Sequence, residues 1–196
     1  MKTKHILWIS IIAFSILSFM GGCSKYNSLV TKEETVSAAW SQVENVYQRR
    51  ADLIPNLVKT VKGYAAHEKT TFTEVTEARA NATKITIDLN TATAAQLQEY
   101  SAAQTQLTSS LSKLLAVVEA YPELKADKNF LALQSQLEGT ENRIAVERKR
   151  FNEAAKAYNI YIRRFPNNII AGLLGFEKKV YFEADKDAKK VPEVDF

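Results

Sequence analysis

Three long stretches of this chain repeat apolar residues at alternating steps of three and four, and that spacing limits what the chain can fold into. The first seam is Val36, Trp40, Val43, Tyr47, Arg50, Ile54, Leu57, Val61, Tyr64 and Glu68, continuing loosely through Phe72 and Val75. The second is Leu97, Tyr100, Gln104, Leu107, Leu111, Leu114, Val118 and Tyr121. The third is Phe130, Leu133, Leu137, Thr140, Ile144, Glu147, Phe151, Ala155, Tyr158, Ile162 and Phe165. At about 3.6 residues per turn, these steps place each set on one helical face. A strand needs alternation every second residue; only Ile85-Thr86-Ile87 offers it, and that patch reads as a connector. Ala, Leu, Glu, Gln, Lys and Arg dominate residues 33–164, a composition that also favours helix.

The ends of the helices are marked as well. Thr31 with Glu34, and Thr93 with Gln96, have the spacing of a capping box, and Asp127 suits the N-cap of a third helix. Pro122 and Pro166 block continuation of the segments before them. The expected helices cover residues 31–80, 93–120 and 127–162, with a short fourth over 169–174 stopped by Gly175. Pro55 predicts a bend in the first helix, and Gly63 is a second weak point. The sequence therefore predicts an all-α, up-and-down antiparallel bundle of three long helices, or four if the first breaks near Pro55 or Gly63, with a short C-terminal helix and tail. In that tail Tyr181, Phe182, Val191, Val194 and Phe196 stand among charges and are expected to pack in part.

The N-terminus is a different kind of segment. Lys2 and Lys4 precede an uncharged run from Ile6 to Met20, and Gly21, Gly22 and Cys23 close it. A charged start, a short apolar stretch and small residues at the end form the layout of a secretory signal; a spanning helix needs about 20 apolar residues. A cysteine after two glycines resembles the lipobox of bacterial lipoproteins, with Met20 where Leu is usual. The resemblance implies cleavage before Cys23, acylation of its thiol, and a domain held outside the cytoplasm. The expected division is 1–22 signal peptide, 23–30 anchor linker, 31–165 bundle and 166–196 short helix and tail. An uncleaved N-terminal membrane anchor is the alternative. Cleavage removes Lys2 and Lys4, so the formal charge falls from +4 to +2. A chain so close to neutral lacks the basic stripe of a nucleic-acid binder. Cys23 is the single cysteine, so an internal disulfide is excluded.

Several ordered blocks resemble the LemA family. They are Gln48-Arg49-Arg50-Ala51-Asp52-Leu53-Ile54-Pro55-Asn56-Leu57-Val58, Val61-Lys62-Gly63-Tyr64-Ala65 with His67-Glu68, and Glu77-Ala78-Arg79. Glu119-Ala120-Tyr121-Pro122-Glu123-Leu124-Lys125-Ala126, Asn129-Phe130 and Leu137-Glu138-Gly139-Thr140-Glu141-Asn142-Arg143-Ile144-Ala145 follow, and then Tyr158-Asn159, Phe165-Pro166-Asn167, Ala171-Gly172 and Gly175-Phe176. The resemblance implies an all-helical bundle attached to a bacterial membrane by its N-terminus, without an established enzymatic activity. Many members look anchored by a helix, where this chain carries Cys23.

The inventory of reactive side chains is thin. His67-Glu68 opens like a zinc-protease motif, but Thr71 stands where the second His belongs. Tyr64, not Glu, precedes His67 by three, so a ferritin-like di-iron motif fails too. No metal or cofactor is expected, and His67 reads as an ordinary helix residue. The anomaly lies on the seams, where Arg50, Glu68, Thr140 and Glu147 interrupt apolar faces. A seam charge must be paired or reach outward. The expectation is an ion pair from Arg50 to Glu138, Glu141 or Glu147 that fixes helix register. Arg49, Arg50, Asp52, Glu68, Glu138, Glu141 and Arg143 are the candidate interhelical or partner contacts, and Cys23 is the lipidation site. Arg148-Lys149-Arg150 and Arg163-Arg164 read as solvated helix faces, with anionic headgroups as the alternative. The function expected is a non-catalytic scaffold or adaptor for other envelope proteins, tethered to the membrane by its N-terminal lipid. A sensory bundle that binds a small anion or peptide near Arg49 and Arg50 is the second reading, and a carboxylate hydrolase the third.

Overall fold

The computed structural model describes residues 2–183, and the described residues contain six helices and no strand. They are α1 (Lys2–Tyr64), α2 (Lys69–Lys84), α3 (Ala94–Val118), α4 (Pro122–Lys125), α5 (Lys128–Arg163) and α6 (Asn167–Leu174). The expectations for Val191, Val194 and Phe196 lie outside the described residues.

Helix α1 pairs most extensively with α5, and α2 pairs with α3. Arg50 meets Glu141 and Trp40 meets Phe151, so residue numbers rise on α1 as they fall on α5, and the two are antiparallel. Glu74 with Lys113, and Ala82 with Gln104, set α2 against α3 in the same sense. The result is the up-down-up-down bundle that the seams predict. Val36, Trp40, Val43, Tyr47, Ile54, Leu57 and Val61 of the first seam are buried, as are most members of the other two. Tyr64 and Phe165 are the exposed seam residues, Phe165 at 81%.

The first helix differs from expectation at both ends. It does not start at Thr31, whose hydroxyl donates to the Asn27 carbonyl at 2.9 Å, within a helix already running. Ser28 and Thr35 bond back in the same way to Ser24 and Thr31. No helix breaker lies between Cys23 and Thr31, and Leu29 is fully buried within a cluster that includes Ile162 and Ala171, which holds this stretch against the bundle. The helix also does not reach Ala80. It ends at Tyr64, directly after Gly63, so the variant with a fourth long helix is the one observed. Gly63 has ordinary helical φ, and a Cβ there meets nothing within 4 Å. Its contribution to the break is low helix propensity. Residues 65–68 form a turn in which Ala65 is buried, and α2 folds back so that Phe72 and Val75 enter the core.

Pro55 lies inside α1 and does not end it. Having no N–H, it leaves the Ala51 carbonyl without its helical donor. Arg79 of α2 supplies one: its Nε donates to that oxygen at 2.7 Å. The returning helix thus fills the hydrogen-bond gap that the proline opens.

The caps at Thr93 and Asp127 are as expected. Gln96 N–H donates to Thr93 Oγ1 at 3.2 Å while Thr93 N–H donates to Gln96 Oε1 at 2.9 Å. Asp127 Oδ1 accepts from Phe130 N–H at 2.8 Å. Helix α6 ends at Gly175, whose φ of 75° gives the left-handed cap that glycine adopts without strain.

Candidate functional site

Helices α1, α3 and α5 converge on Arg50, which is 1% exposed. A guanidinium in that position must have its donors answered. Nη1 donates to Glu141 Oε1 at 2.6 Å and to Thr108 Oγ1 at 2.8 Å. Nη2 donates to Gln104 Oε1 at 2.5 Å and to the Gln104 carbonyl at 3.3 Å. Gln104 in turn donates from Nε2 to the Ala82 carbonyl at 3.2 Å, which brings in the end of α2. Tyr47 lies with its ring centroid 5.2 Å from the guanidinium carbon. Burial raises the pKa of the Tyr47 phenol, with Arg148 and Arg50 opposing the shift, so the ring stays neutral beside the cation. Of the polar atoms of Arg50, Nε is the one without a hydrogen-bond partner among the described residues.

Of the seven candidate contact residues, this node brings two together. Glu141, half-buried, is the carboxylate that Arg50 takes. Glu138 is exposed and accepts from Gln134 on its own helix, and Glu147 pairs with Arg150. Asp52 accepts from Gln48 at the surface, and Arg49 and Arg143 are exposed. Glu68 is not a seam residue of a long helix: it sits at the N-cap of α2 and makes no side-chain cap. His67 is likewise in the turn and exposed, not helical. Thr140 answers its own buried hydroxyl, donating to the Gln136 carbonyl at 2.7 Å. Gln104 stands on the second seam and was visible as polar among leucines. Thr108 lies off that seam, and no sequence signal marks it. A cavity of about 130 Å³ beside the node is lined by Tyr47, Tyr100 and Gln104, among others.

A second polar cluster joins the other end of the bundle. Past α6, residues 179–183 of the segment 176–183 run along α5, antiparallel to it. Asn159 Oδ1 accepts from Lys179 N–H at 2.9 Å and Asn159 Nδ2 donates to the Lys179 carbonyl at 2.8 Å. Asn152 makes the same pair with Phe182, both bonds at 2.9 Å. Two helical turns rise about 10.5 Å and three extended residues about 10 Å, which is why Asn152 and Asn159 match Phe182 and Lys179. Lys179 is buried; its Nζ lies 2.7 Å from Glu33 Oε1 of α1 and donates to Asn90 Oδ1 of the connector at 3.1 Å. Phe182 stacks on Trp40 at 5.7 Å between centroids, with Arg148 4.6 Å from its own ring centroid. Burial pushes the nearby Tyr158 phenol up to about 12. The basic run 148–150 thus divides, Arg148 serving the strap and Arg150 the surface pair. The sequence signal for this strap was two asparagines seven apart beside Phe151 and Tyr158.

Cys23 is exposed on α1, ahead of both clusters. Among the described residues no group of three or more His, Cys, Asp or Glu side chains is placed to hold a metal ion. No helix of the described residues is long and apolar enough to cross a membrane.

The comparisons with known proteins point one way. A family model described as the LemA family matches residues 39–196. Magnetosome protein MamQ 1 of Paramagnetospirillum magneticum (strain AMB-1) is 30% identical over 201 residues, covering 94% of this chain and 72% of that protein. Magnetosome protein MamQ of Magnetospirillum gryphiswaldense is 28% identical over the same length and coverage. Protein LemA of Metamycoplasma hominis is 23% identical over 160 residues, or 82% of this chain and 69% of that protein.

Proposed function

The chain belongs to the LemA family, and from that premise we propose that it is a membrane-anchored, non-catalytic helical bundle that acts as a scaffold or adaptor for other proteins of the bacterial cell envelope. Acylation of Cys23 holds it to the membrane, with the bundle outside the cytoplasm. One observation carries this reading. Cys23 is exposed on the same unbroken helix whose later turns carry Trp40, Tyr47 and Arg50 into the core. An anchor placed there orients the whole bundle relative to the lipid. The buried polar groups support the same reading, because Arg50, Gln104 and Lys179 spend their hydrogen bonds joining elements to one another. The naming of two relatives as magnetosome proteins fits a part in an assembled structure.

The test has two arms. Labelling cells with a fatty acid is expected to mark the wild-type chain and to leave Cys23→Ala unmarked. In vivo crosslinking followed by mass spectrometry is expected to recover envelope proteins on the exposed helix faces. Recovery of monomer alone under several crosslinkers contradicts the scaffold role, and equal labelling of both chains contradicts the anchor.

The cavity beside Tyr47 and Gln104 favours one alternative, a bundle that binds a small anion or peptide. Both terminal nitrogens of Arg50 are already engaged there, which argues against an anion at that residue. Melting-temperature shifts on adding small anions or peptides discriminate the two readings.

A further inference from the structure

Helix α6 presents an apolar face that nothing in the described chain covers. Asn167 and Ala171, four apart, are buried against the bundle. Ile169 and Leu173, also four apart, lie on the opposite face. Leu173 is 80% exposed, and Ile169 and the preceding Phe165 are exposed as well, whereas Leu174, three residues after Ala171, lies on the bundle-facing side of the helix. Scattered apolar residues are ordinary on a surface; three large ones grouped at one helix are not.

The position of the patch says what covers it. Ala171 shares its buried cluster with Leu29 of α1, and Phe176, just past α6, packs edge-on against Tyr26 at 6.1 Å. Tyr26 follows Cys23 by three residues, a rise of about 4.5 Å along the helix. The patch therefore sits at the end of the bundle that carries the anchor. Its surroundings are cationic: Lys25, Arg163, Arg164 and Lys178 are exposed there, against one exposed carboxylate, Glu177. Apolar side chains rimmed by Lys and Arg form the surface that settles into an anionic headgroup layer. A surface tethered within a helical turn or so of acyl chains meets that layer at very high effective concentration.

We propose that Phe165, Ile169 and Leu173 insert into the headgroup–acyl boundary of the leaflet that holds the Cys23 anchor, making the end of the bundle a second membrane contact. The proposal rests on the anchored reading above. It makes the attachment two-point, so the bundle stands at a fixed angle to the membrane instead of swinging from one end.

The test uses the intact chain bearing Leu173→Cys, labelled with the environment-sensitive dye NBD. It is reconstituted into phosphatidylethanolamine–phosphatidylglycerol vesicles, with or without brominated acyl chains. Acylated Cys23 takes no dye, so dye uptake by the wild-type chain reports separately on the anchor. If the wild type does take dye, the insertion test is run on the Cys23→Ala, Leu173→Cys chain. Insertion predicts blue-shifted emission that brominated lipid quenches, and weaker quenching in Arg163→Glu with Arg164→Glu. The dye at Glu123→Cys, on α4 at the far end, stays unquenched. A vesicle-bound chain whose Leu173 dye remains open to aqueous iodide overturns the proposal. So does a dye shielded from iodide yet untouched by brominated lipid, because then a second copy, another protein or residues 184–196 cover the patch.

Discussion

Arg50 and Glu141 form a pair in which the two partners are not equivalent. The guanidinium is almost wholly enclosed, whereas the Glu141 side chain is 38% exposed. Removing Glu141 leaves a buried cation facing neutral acceptors; removing Arg50 leaves a carboxylate that water reaches. We expect Glu141→Ala to destabilise the bundle by about 2–3 kcal/mol and Arg50→Met by about 1–2 kcal/mol, with helicity retained in both. Urea unfolding followed by circular dichroism measures the order, and the reverse order contradicts the assignment of the node as a register device. Asp127 offers a pH test. The Phe130 N–H, and then the Tyr64 hydroxyl donating at 3.1 Å, hold its carboxyl below the ordinary value of 3.8. A carboxyl depressed by folding stabilises the folded state above its unfolded pKa, and that contribution is lost as pH falls through the folded pKa. Asn also caps helices but does not titrate. Any melting-temperature advantage of wild type over Asp127→Asn at neutral pH is therefore expected to vanish below pH 3.8, in acid scans by calorimetry. At this scale the sequence showed a charge on an apolar seam, to be either paired or turned outward. It left three carboxylates open, because Glu138, Glu141 and Glu147 all lie within reach on one helix and only the register of α1 against α5 selects among them.

Two of the elements depend on bonds that cross between segments. Pro55 survives within α1 because Arg79 answers the Ala51 carbonyl. Arg79→Met is expected to cost about 1–3 kcal/mol by orphaning that oxygen. In a Pro55→Ala background, where the backbone N–H returns, the cost is expected to fall below about 1 kcal/mol. A double-mutant cycle by chemical denaturation checks this, and strict additivity refutes it. The strap over residues 176–183 rests on the Asn152 and Asn159 side chains. Asn152→Leu with Asn159→Leu is expected to weaken its docking by about 2–4 kcal/mol. Limited trypsin digestion then cuts after Lys178 or Lys179 well before the helices yield. The seams and caps of α3 and α5 were legible because apolar spacing and cap chemistry are local. The start of α1 was not legible at Thr31, since a Ser/Thr three residues before Glu occurs inside helices as well as at their ends. The strap was not legible because Asn152 and Asn159, though seven apart, read alone as ordinary helix positions, and the backbone they bond lies 20 and 30 residues away, beyond any local spacing.

At the scale of the whole molecule, one helix joins Cys23, the proposed anchor, to the bundle. The seams made the bundle readable, and the ordered blocks made its family readable. What neither could supply was the continuity between Cys23 and the core, or the exposure of Phe165, which has seam spacing and yet lies past the end of α5. A rod packed from Leu29 onward leaves no slack between Cys23 and the bundle, so the proposed acylation at Cys23 would fix the bundle's orientation. Amide hydrogen exchange on the acylated chain in vesicles, read by mass spectrometry over residues 26–40, tests this most directly. A continuous rod predicts slow exchange from about Leu29 onward, joining without a gap the protection around Trp40 and Tyr47. Rapid exchange across residues 26–35, with protection starting only near Val36, describes a bundle on a loose tether and contradicts the account.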